Sequence, residues 1–402
     1  MQRKLDLRTG RPVWYAYRAP RVPVAKLARD VRAEVLVIGM GISGAMIAEA
    51  LARRGHDVVM VDRRGPVQGS TAATTALVQF EIDEPLSLLS RKVGRQKAEQ
   101  AWRRSRLAVM TLRARIVESG IRCQTQLVPS LYLAGNVLDS GGLRDEEAAR
   151  RQAGIHCTFL TNPDLKERFG IDRKAALLSH DNLTLDPRKL AAGLLLKAVE
   201  RGAKLYAPCE AVSVHHHRDE VIVPTRNGPN IRARHVVLAT GYELLDGVPS
   251  ARHRIISTWA IATRPQPRAL WPEQATIWEA SDPYLYMRQT PDGRVICGGE
   301  DEDFSDEHRR DALIPTKTQR IAEKLARLFQ HINPTPEFAW AGAFGTTSTG
   351  LPYIGTIPGK PRVFAVMGYG GNGITYSQIA SEIVSTALDG RHDSDAALFA
   401  LD

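Results

Sequence analysis

Residues 34–44 read Glu-Val-Leu-Val-Ile-Gly-Met-Gly-Ile-Ser-Gly, and no other stretch restricts the fold as tightly. The apolar run after Glu34 carries no charge, which predicts a strand buried on both faces, as in a parallel sheet. It passes into Gly-x-Gly-x-x-Gly and then into a helical pattern over 45–54. Each glycine answers a separate steric demand. Gly39 permits the tight turn, Gly41 lets a pyrophosphate approach bare backbone, and Gly44 lets the helix pack close to the strand. Ile42 and Ser43 open the helix, where free N–H groups and a partial positive charge attract phosphate. A second apolar run, Val58-Val59-Met60-Val61, ends in Asp62. An acid there accepts hydrogen bonds from both hydroxyls of an adenosine ribose. Strand, glycine turn, helix, strand and acid, in that order, predict a dinucleotide-binding unit.

The chain has 402 residues, enough for a large core and two domains. Its net charge of +10 comes from arginines spread through helices and loops rather than gathered in one tract. That distribution predicts a basic enzyme suited to anionic ligands and speaks against a nucleic-acid partner. Cys123, Cys157, Cys209 and Cys297 lie far apart with no C-x-x-C, so neither a zinc site nor a dithiol centre is expected. The tract His215-His216-His217 lies mid-strand without nearby partners, and no metal is expected there. Charges and prolines interrupt residues 1–30, and no apolar run reaches the roughly 18 residues of a membrane span. These readings predict a cytoplasmic protein with reduced thiols and no membrane span.

Residues 1–30 read as an arm whose Trp14, Tyr15 and Tyr17 pack on the body. An arginine-rich helix is predicted over 95–119, a strand over 127–134, and helices near 143–153 and 163–169. Asp186-Pro187 starts a helix to about Arg201, with proline at an early helical position. Short strands follow at 204–206, 210–216, 220–225 and 231–233, then a buried strand over 235–241. Residues 252–300 alternate in strand fashion around the turn Pro291-Asp292-Gly293. Helices near 315–331 and 377–388 complete the reading. Nucleotide-binding pieces thus recur at the start, middle and end, with strand-rich pieces between. The predicted division is an N-terminal arm (1–30), a discontinuous nucleotide-binding domain (31–90, 170–250 and 340–402), and a discontinuous substrate domain (91–169 and 251–339).

Several separated motifs share this order with one superfamily. They are the Gly39–Gly44 fingerprint with Asp62, Gly69-Ser70-Thr71-Ala72-Ala73-Thr74-Thr75-Ala76, Leu185-Asp186-Pro187, and Val237-Leu238-Ala239-Thr240-Gly241. Near the end come Gly350-Leu351-Pro352-Tyr353-Ile354-Gly355 and Gly368-Tyr369-Gly370-Gly371-Asn372-Gly373-Ile374. Over about residues 30–390 the chain resembles the FAD-dependent amino-acid and amine oxidoreductases, the D-amino-acid oxidase, glycine oxidase and sarcosine oxidase group. Within that group it is most similar to the γ-glutamylputrescine oxidase-like branch. The resemblance implies an α/β fold in which a Rossmann-type FAD-binding domain is interleaved with an α+β substrate domain built on an antiparallel sheet. It also implies roles for single residues. Ser70 and Thr71 would bond the pyrophosphate and ribityl chain, and Val212 would pair with adenine through its backbone. Thr240 and Gly241 would let the backbone pass beside the dinucleotide. Gly370, Gly371, Asn372, Gly373 and Ile374 would open a last helix facing the pyrimidine end of the flavin. A positive dipole there would favour the anionic reduced ring. Arg63 and Gly342 complete the implied cofactor set. The loop 345–349 lacks the cysteine that holds flavin covalently in sarcosine oxidase-type members, so non-covalent FAD is expected.

One departure concerns the substrate. The glycine oxidase-like pattern W-A-G-x-R carries the arginine that holds a substrate carboxylate, but here Trp340-Ala341-Gly342-Ala343 leads to Phe344. Either the carboxylate is held elsewhere or the substrate has none. Arg288 is the best replacement anchor, because it shares a strand face with Tyr284 and Tyr286. Trp259 and Trp278 are candidate pocket walls, and Tyr286, Arg288, Tyr369 and Asn372 are the residues expected at the reacting centre. There is one full dinucleotide fingerprint and no second for a nicotinamide. Electrons are therefore expected from a small-molecule amine or amino acid, and they pass to oxygen or a carrier. Oxidation of a hydroxy acid or polyol phosphate, and a nucleic-acid-associated flavoprotein, are the competing readings.

Overall fold

The computed structural model describes residues 8–226, 228–243, 245, 248 and 253–401. The charge-free run forms the strand Val31–Ile38, with Val35, Leu36 and Val37 fully buried. It lies inside an eight-stranded sheet. Asn230–Leu238 pairs with it in parallel on one side and Val58–Val61 on the other. Lys204–Tyr206 extends the sheet beyond Val58–Val61, also in parallel. Beyond Asn230–Leu238 come parallel Lys360–Met367 and antiparallel Tyr353–Ile357.

Strands buried on both faces need cover on both. Helices Ile42–Arg53, Pro187–Glu200 and Gly373–Leu388 pack on one face, and the long helix Arg95–Ser119 lies against the last of these. The opposite face is covered by a meander of His215–His216, Val221–Pro224 and the first half of Asn230–Leu238. That double use explains a departure from the sequence reading. The strands expected at 231–233 and 235–241 are one continuous strand, which pairs with Val31–Ile38 along its length while its other edge serves the meander with its first half and Lys360–Met367 with its second. Asp186 caps the helix Pro187–Glu200 by accepting from the Arg188 and Lys189 N–H groups at 2.9 and 3.0 Å.

The second sheet has ten strands. Its order is Arg8–Gly10, Pro336–Thr347, His253–Thr263, Val295–Glu302, Leu285–Gln289, Thr276–Glu279, Gln126–Leu133, Ala175–Thr184 and Leu77–Val78, with Cys157–Thr161 also paired to Ala175–Thr184. Neighbours run antiparallel except Thr276–Glu279 with Gln126–Leu133. Two of these strands, Leu77–Val78 and Ala175–Thr184, lie in segments that the sequence reading gave to the nucleotide-binding domain, and Pro336–Thr347 crosses from the expected substrate segment into the nucleotide-binding one. The N-terminal arm adds Arg8–Gly10 to this sheet, while Ala25 bridges to Tyr206 of the other. A strand's own residues report burial and alternation, not the identity of the strand that bonds to it.

Arg115 fastens three helices of the first layer. From Arg95–Ser119 it donates to Glu49 at 2.8 Å and the Met46 carbonyl at 2.5 Å on Ile42–Arg53. It also reaches Gln378 at 3.0 Å and Ser381 at 3.1 Å on Gly373–Leu388. Both ions of the Arg115–Glu49 pair are buried. Glu49 also pairs with Arg201 at 2.7 Å, so removing Arg115 takes away one of the buried carboxylate's two counter-ions. Arg115→Met should therefore lower stability by about 1–3 kcal/mol, read as a fall in urea-denaturation midpoint.

Candidate active site

The two sheets meet at one large cavity of about 690 Å³, within the roughly 300–1,000 Å³ usual for ligand sites. Gly39, Gly41, Ile42, Ser43, Asp62, Arg63, Ser70, Thr71, Val212, Thr240 and Gly241 line its nucleotide end. Gly44 does not line it. A side chain there would put Cβ 1.9 Å from the Gly39 carbonyl oxygen, so its role is the close approach of helix to strand. Gly39 itself has φ +114, and its Cβ would fall 2.3 Å from the Ala239 carbonyl.

Asp62 is fixed by backbone donors. One carboxylate oxygen accepts from the Met40 N–H at 2.8 Å, and the other from Arg64 and Gly65 at 2.7 and 2.9 Å. The acid thus holds the glycine loop and keeps lone pairs for a ribose. Thr71 accepts the Ile42 N–H at 2.9 Å and retains its own O–H for an oxyanion. Val212 uses its N–H on the Pro224 carbonyl at 3.0 Å, which leaves its carbonyl for a base. Arg63 and Arg64 both pair with Glu243, Arg64 at 2.6 Å, and Arg226 pairs with Glu210 at 2.5 Å. All five side chains line the cavity.

Toward the other end the lining residues are Gly370, Gly371, Asn372, Gly373 and Ile374, then Gly342, Phe344, Thr258, Trp278, Tyr284, Tyr286 and Tyr369. Asn372 is a clamp rather than a reacting group. Its amide donates to the Gln79 and Glu81 carbonyls at 3.3 and 2.8 Å, and its oxygen accepts from the Asp83 N–H at 3.2 Å. The Tyr369 hydroxyl donates to the Val366 carbonyl at 3.0 Å, so the residue offers a ring face and no free proton. The Gly371 N–H, at the start of the last helix, donates to Asp83 at 2.6 Å. An acid therefore already stands where the sequence reading left the helix dipole unopposed.

Arg288 is not a substrate anchor. It is 1% exposed and donates to the Ala76, Leu185 and Gln289 carbonyls at 2.9, 2.9 and 3.1 Å. Burial without a carboxylate partner pushes its pKa down to about 9. The Trp14 indole holds the Thr74 carbonyl at 2.6 Å and that of Trp340 holds Ala73 at 2.8 Å. Arg288 and two tryptophans thus pin the loop that carries Ser70 and Thr71. Trp259 is likewise remote, its indole bonded to the Arg310 carbonyl at 3.0 Å. Trp278 does face the cavity and stacks on Tyr132 at 3.9 Å between ring centroids. Tyr286 bonds Thr258 at 3.0 Å, and its ring occupies the space that a Cβ on Gly298 would fill. Asp83 and His253 are cavity residues that sequence reasoning missed. Asp83 sits seven residues past Ala76, the end of the Gly69–Ala76 loop, outside any motif, and only the fold returns it to the last helix.

A glycine-loop nucleotide site opening onto an aromatic chamber defines a dinucleotide-dependent oxidoreductase. More particularly, the chain belongs to the DAO family of FAD-dependent oxidoreductases, whose sequence model matches residues 34–387. It is 23% identical over 389 residues to γ-glutamylputrescine oxidoreductase of Escherichia coli, a match covering 94% of this chain and 88% of the other. It is 24% identical over 400 residues to glycine oxidase of Geobacillus kaustophilus, covering 92% and 97%. The crystal structure of glycine oxidase from that organism superposes with a TM-score of 0.76 at 21% identity, covering 92% of this chain and 98% of the other. The Gly39–Gly44 cradle, the anchored Asp62 and the chamber volume fit FAD.

Two outcomes follow. Asp62→Ala should weaken FAD binding about 10- to 100-fold, the loss of charge-assisted hydrogen bonds, measured by fluorescence titration of the apoprotein. Arg288→Met, which leaves three carbonyls without a donor, should cost about 2–4 kcal/mol of stability in chemical denaturation. A carboxylate anchor would instead show raised KM at unchanged stability.

Proposed function

We propose that this enzyme oxidises the carbon–nitrogen bond of an amine or amino acid to an imine, which water hydrolyses to a carbonyl compound and an amine or ammonia. The observation that supports this most is the continuity of the cavity from Asp62 to the aromatic chamber. Nucleotide and organic substrate share one enclosed space, and the sequence holds no second dinucleotide fingerprint. FAD, when bound, supplies the hydride acceptor. The protein's part is to bind, orient and exclude water. Asp62 and Thr71 hold the nucleotide, while Trp278, Tyr284, Tyr286, Phe344 and Tyr369 wall the reacting carbon and nitrogen. Burial lowers the pKa of His253 at the chamber edge, which favours its neutral imidazole.

A polyol phosphate is the poorer substrate, because each arginine lining the cavity is paired with a lining glutamate. No helix among the described residues is long and apolar enough to cross a membrane. We place the protein in the cytoplasm, in keeping with four free thiols, and reoxidation by oxygen or a carrier completes the cycle. FAD is held non-covalently on this reading, so acid precipitation should leave the yellow colour in the supernatant. Anaerobic addition of amines, N-methyl amino acids and both enantiomers of amino acids should bleach the flavin. Bleaching by hydroxy acids or glycerol phosphate alone would overturn the proposal.

A further inference from the structure

The charges around the cavity are segregated. At the nucleotide end Arg63, Arg64 and Arg226 are neutralised by Glu243 and Glu210. At the aromatic end the fixed charge among the described lining residues is an acid, Asp83, and none of those residues is a lysine or arginine. Asp83 lines the cavity and is exposed there, with one oxygen held by the Gly371 N–H at 2.6 Å. A second acid, Asp301, stands behind the wall beside Thr258. Neither of its oxygens reaches a donor at hydrogen-bonding geometry, and both are shielded from solvent. Thr258 in turn bonds Tyr286 at 3.0 Å, and both face the chamber. The nearest cation on that side, Lys317, is committed to the Glu300 carbonyl at 2.8 Å and the Glu302 carboxylate at 2.7 Å.

One acid on the wall and a second behind it, with no lysine or arginine among the described lining residues of that end, favour a positive occupant. Burial raises the pKa of both, that of Asp301 to about 7, and a cation bound beside them favours their ionised forms. The aromatic rings of Trp278, Tyr284 and Tyr286 line the same end and suit the same sign of charge. A substrate carboxylate would meet repulsion from Asp83 and find no guanidinium among the described residues of that wall.

We propose that the substrate is a cationic amine with no carboxylate on the carbon being oxidised, held by Asp83 and the aromatic wall, with Asp301 acting from behind through the Thr258–Tyr286 hydroxyl pair. This rests on the carbon–nitrogen oxidation proposed above and narrows it to amines over amino acids. Asp301 is here a positioning residue, since it does not line the cavity.

The test uses the FAD-loaded enzyme and ligands matched in shape. Benzyltrimethylammonium should perturb the flavin spectrum with a Kd at least tenfold below that of phenylacetate. Asp83→Asn, whose amide oxygen still accepts from Gly371, should erase that preference. Asp301→Asn should weaken cation binding severalfold and leave the affinity for phenylacetate unchanged or improved. Phe344→Arg, which adds a cation to the wall, should invert the order. Tighter or equal binding of phenylacetate, or no response to either ligand, overturns the inference. The turnover arm compares putrescine with ornithine and N-methylbutylamine with N-methylnorvaline. Faster bleaching by the carboxylate-bearing members sinks this inference alone and leaves carbon–nitrogen oxidation standing, whereas bleaching by none removes both.

Discussion

The structure depends on the approach of one helix to one strand. A Cβ on Gly44 would sit inside the van der Waals shell of the Gly39 carbonyl, so only glycine lets Ile42–Arg53 start where it does. That placement fixes the helix under the parallel sheet and aims its N-terminus at the cavity. Asp62 completes the arrangement from the neighbouring strand by accepting the Met40 N–H. A residue assigned to the ligand thus also shapes the loop that meets the ligand, which couples cofactor affinity to local stability.

Around this unit the molecule is held together by side chains that bond backbone carbonyls across long sequence separations. Asn372 ties the last helix to the 79–83 segment, and Arg288 ties the second sheet to the loop of Ser70 and Thr71. Trp14 brings the N-terminal arm onto the same loop. Each joins pieces that the chain order keeps apart, and each lies close to the cavity. Contacts between the segments of the two sheets therefore set the cavity wall.

Much of the nucleotide half was legible in advance. A parallel strand, a glycine turn and an acid at the end of the next strand leave a local signature, since each residue's role is fixed by neighbours close in sequence. Helix limits were legible for a related reason: Pro187 and the Asp186 cap act within one turn. The substrate half was not. Alternation placed Tyr284, Tyr286 and Arg288 on one strand face, but that face runs from the chamber into the core. Tyr286 meets the cavity, and Arg288, one turn of the pleat further on, is enclosed by carbonyls of two other segments.

The sequence by itself determined the family's FAD-binding signature: a buried strand, a glycine turn, a helix packed close to it, and an acid closing the next strand. Those are short-range matters of sterics and hydrogen-bond supply. Tertiary structure alone decided the sheet to which 175–184 and 336–347 belong, the structural use of Arg288 and Asn372, and the meeting of Asp83 with the last helix. Strand pairing and the sign of charge in a chamber are set by residues hundreds of positions apart. No local pattern records them, because the free energy that fixes them arises only when the two sheets close on the same space.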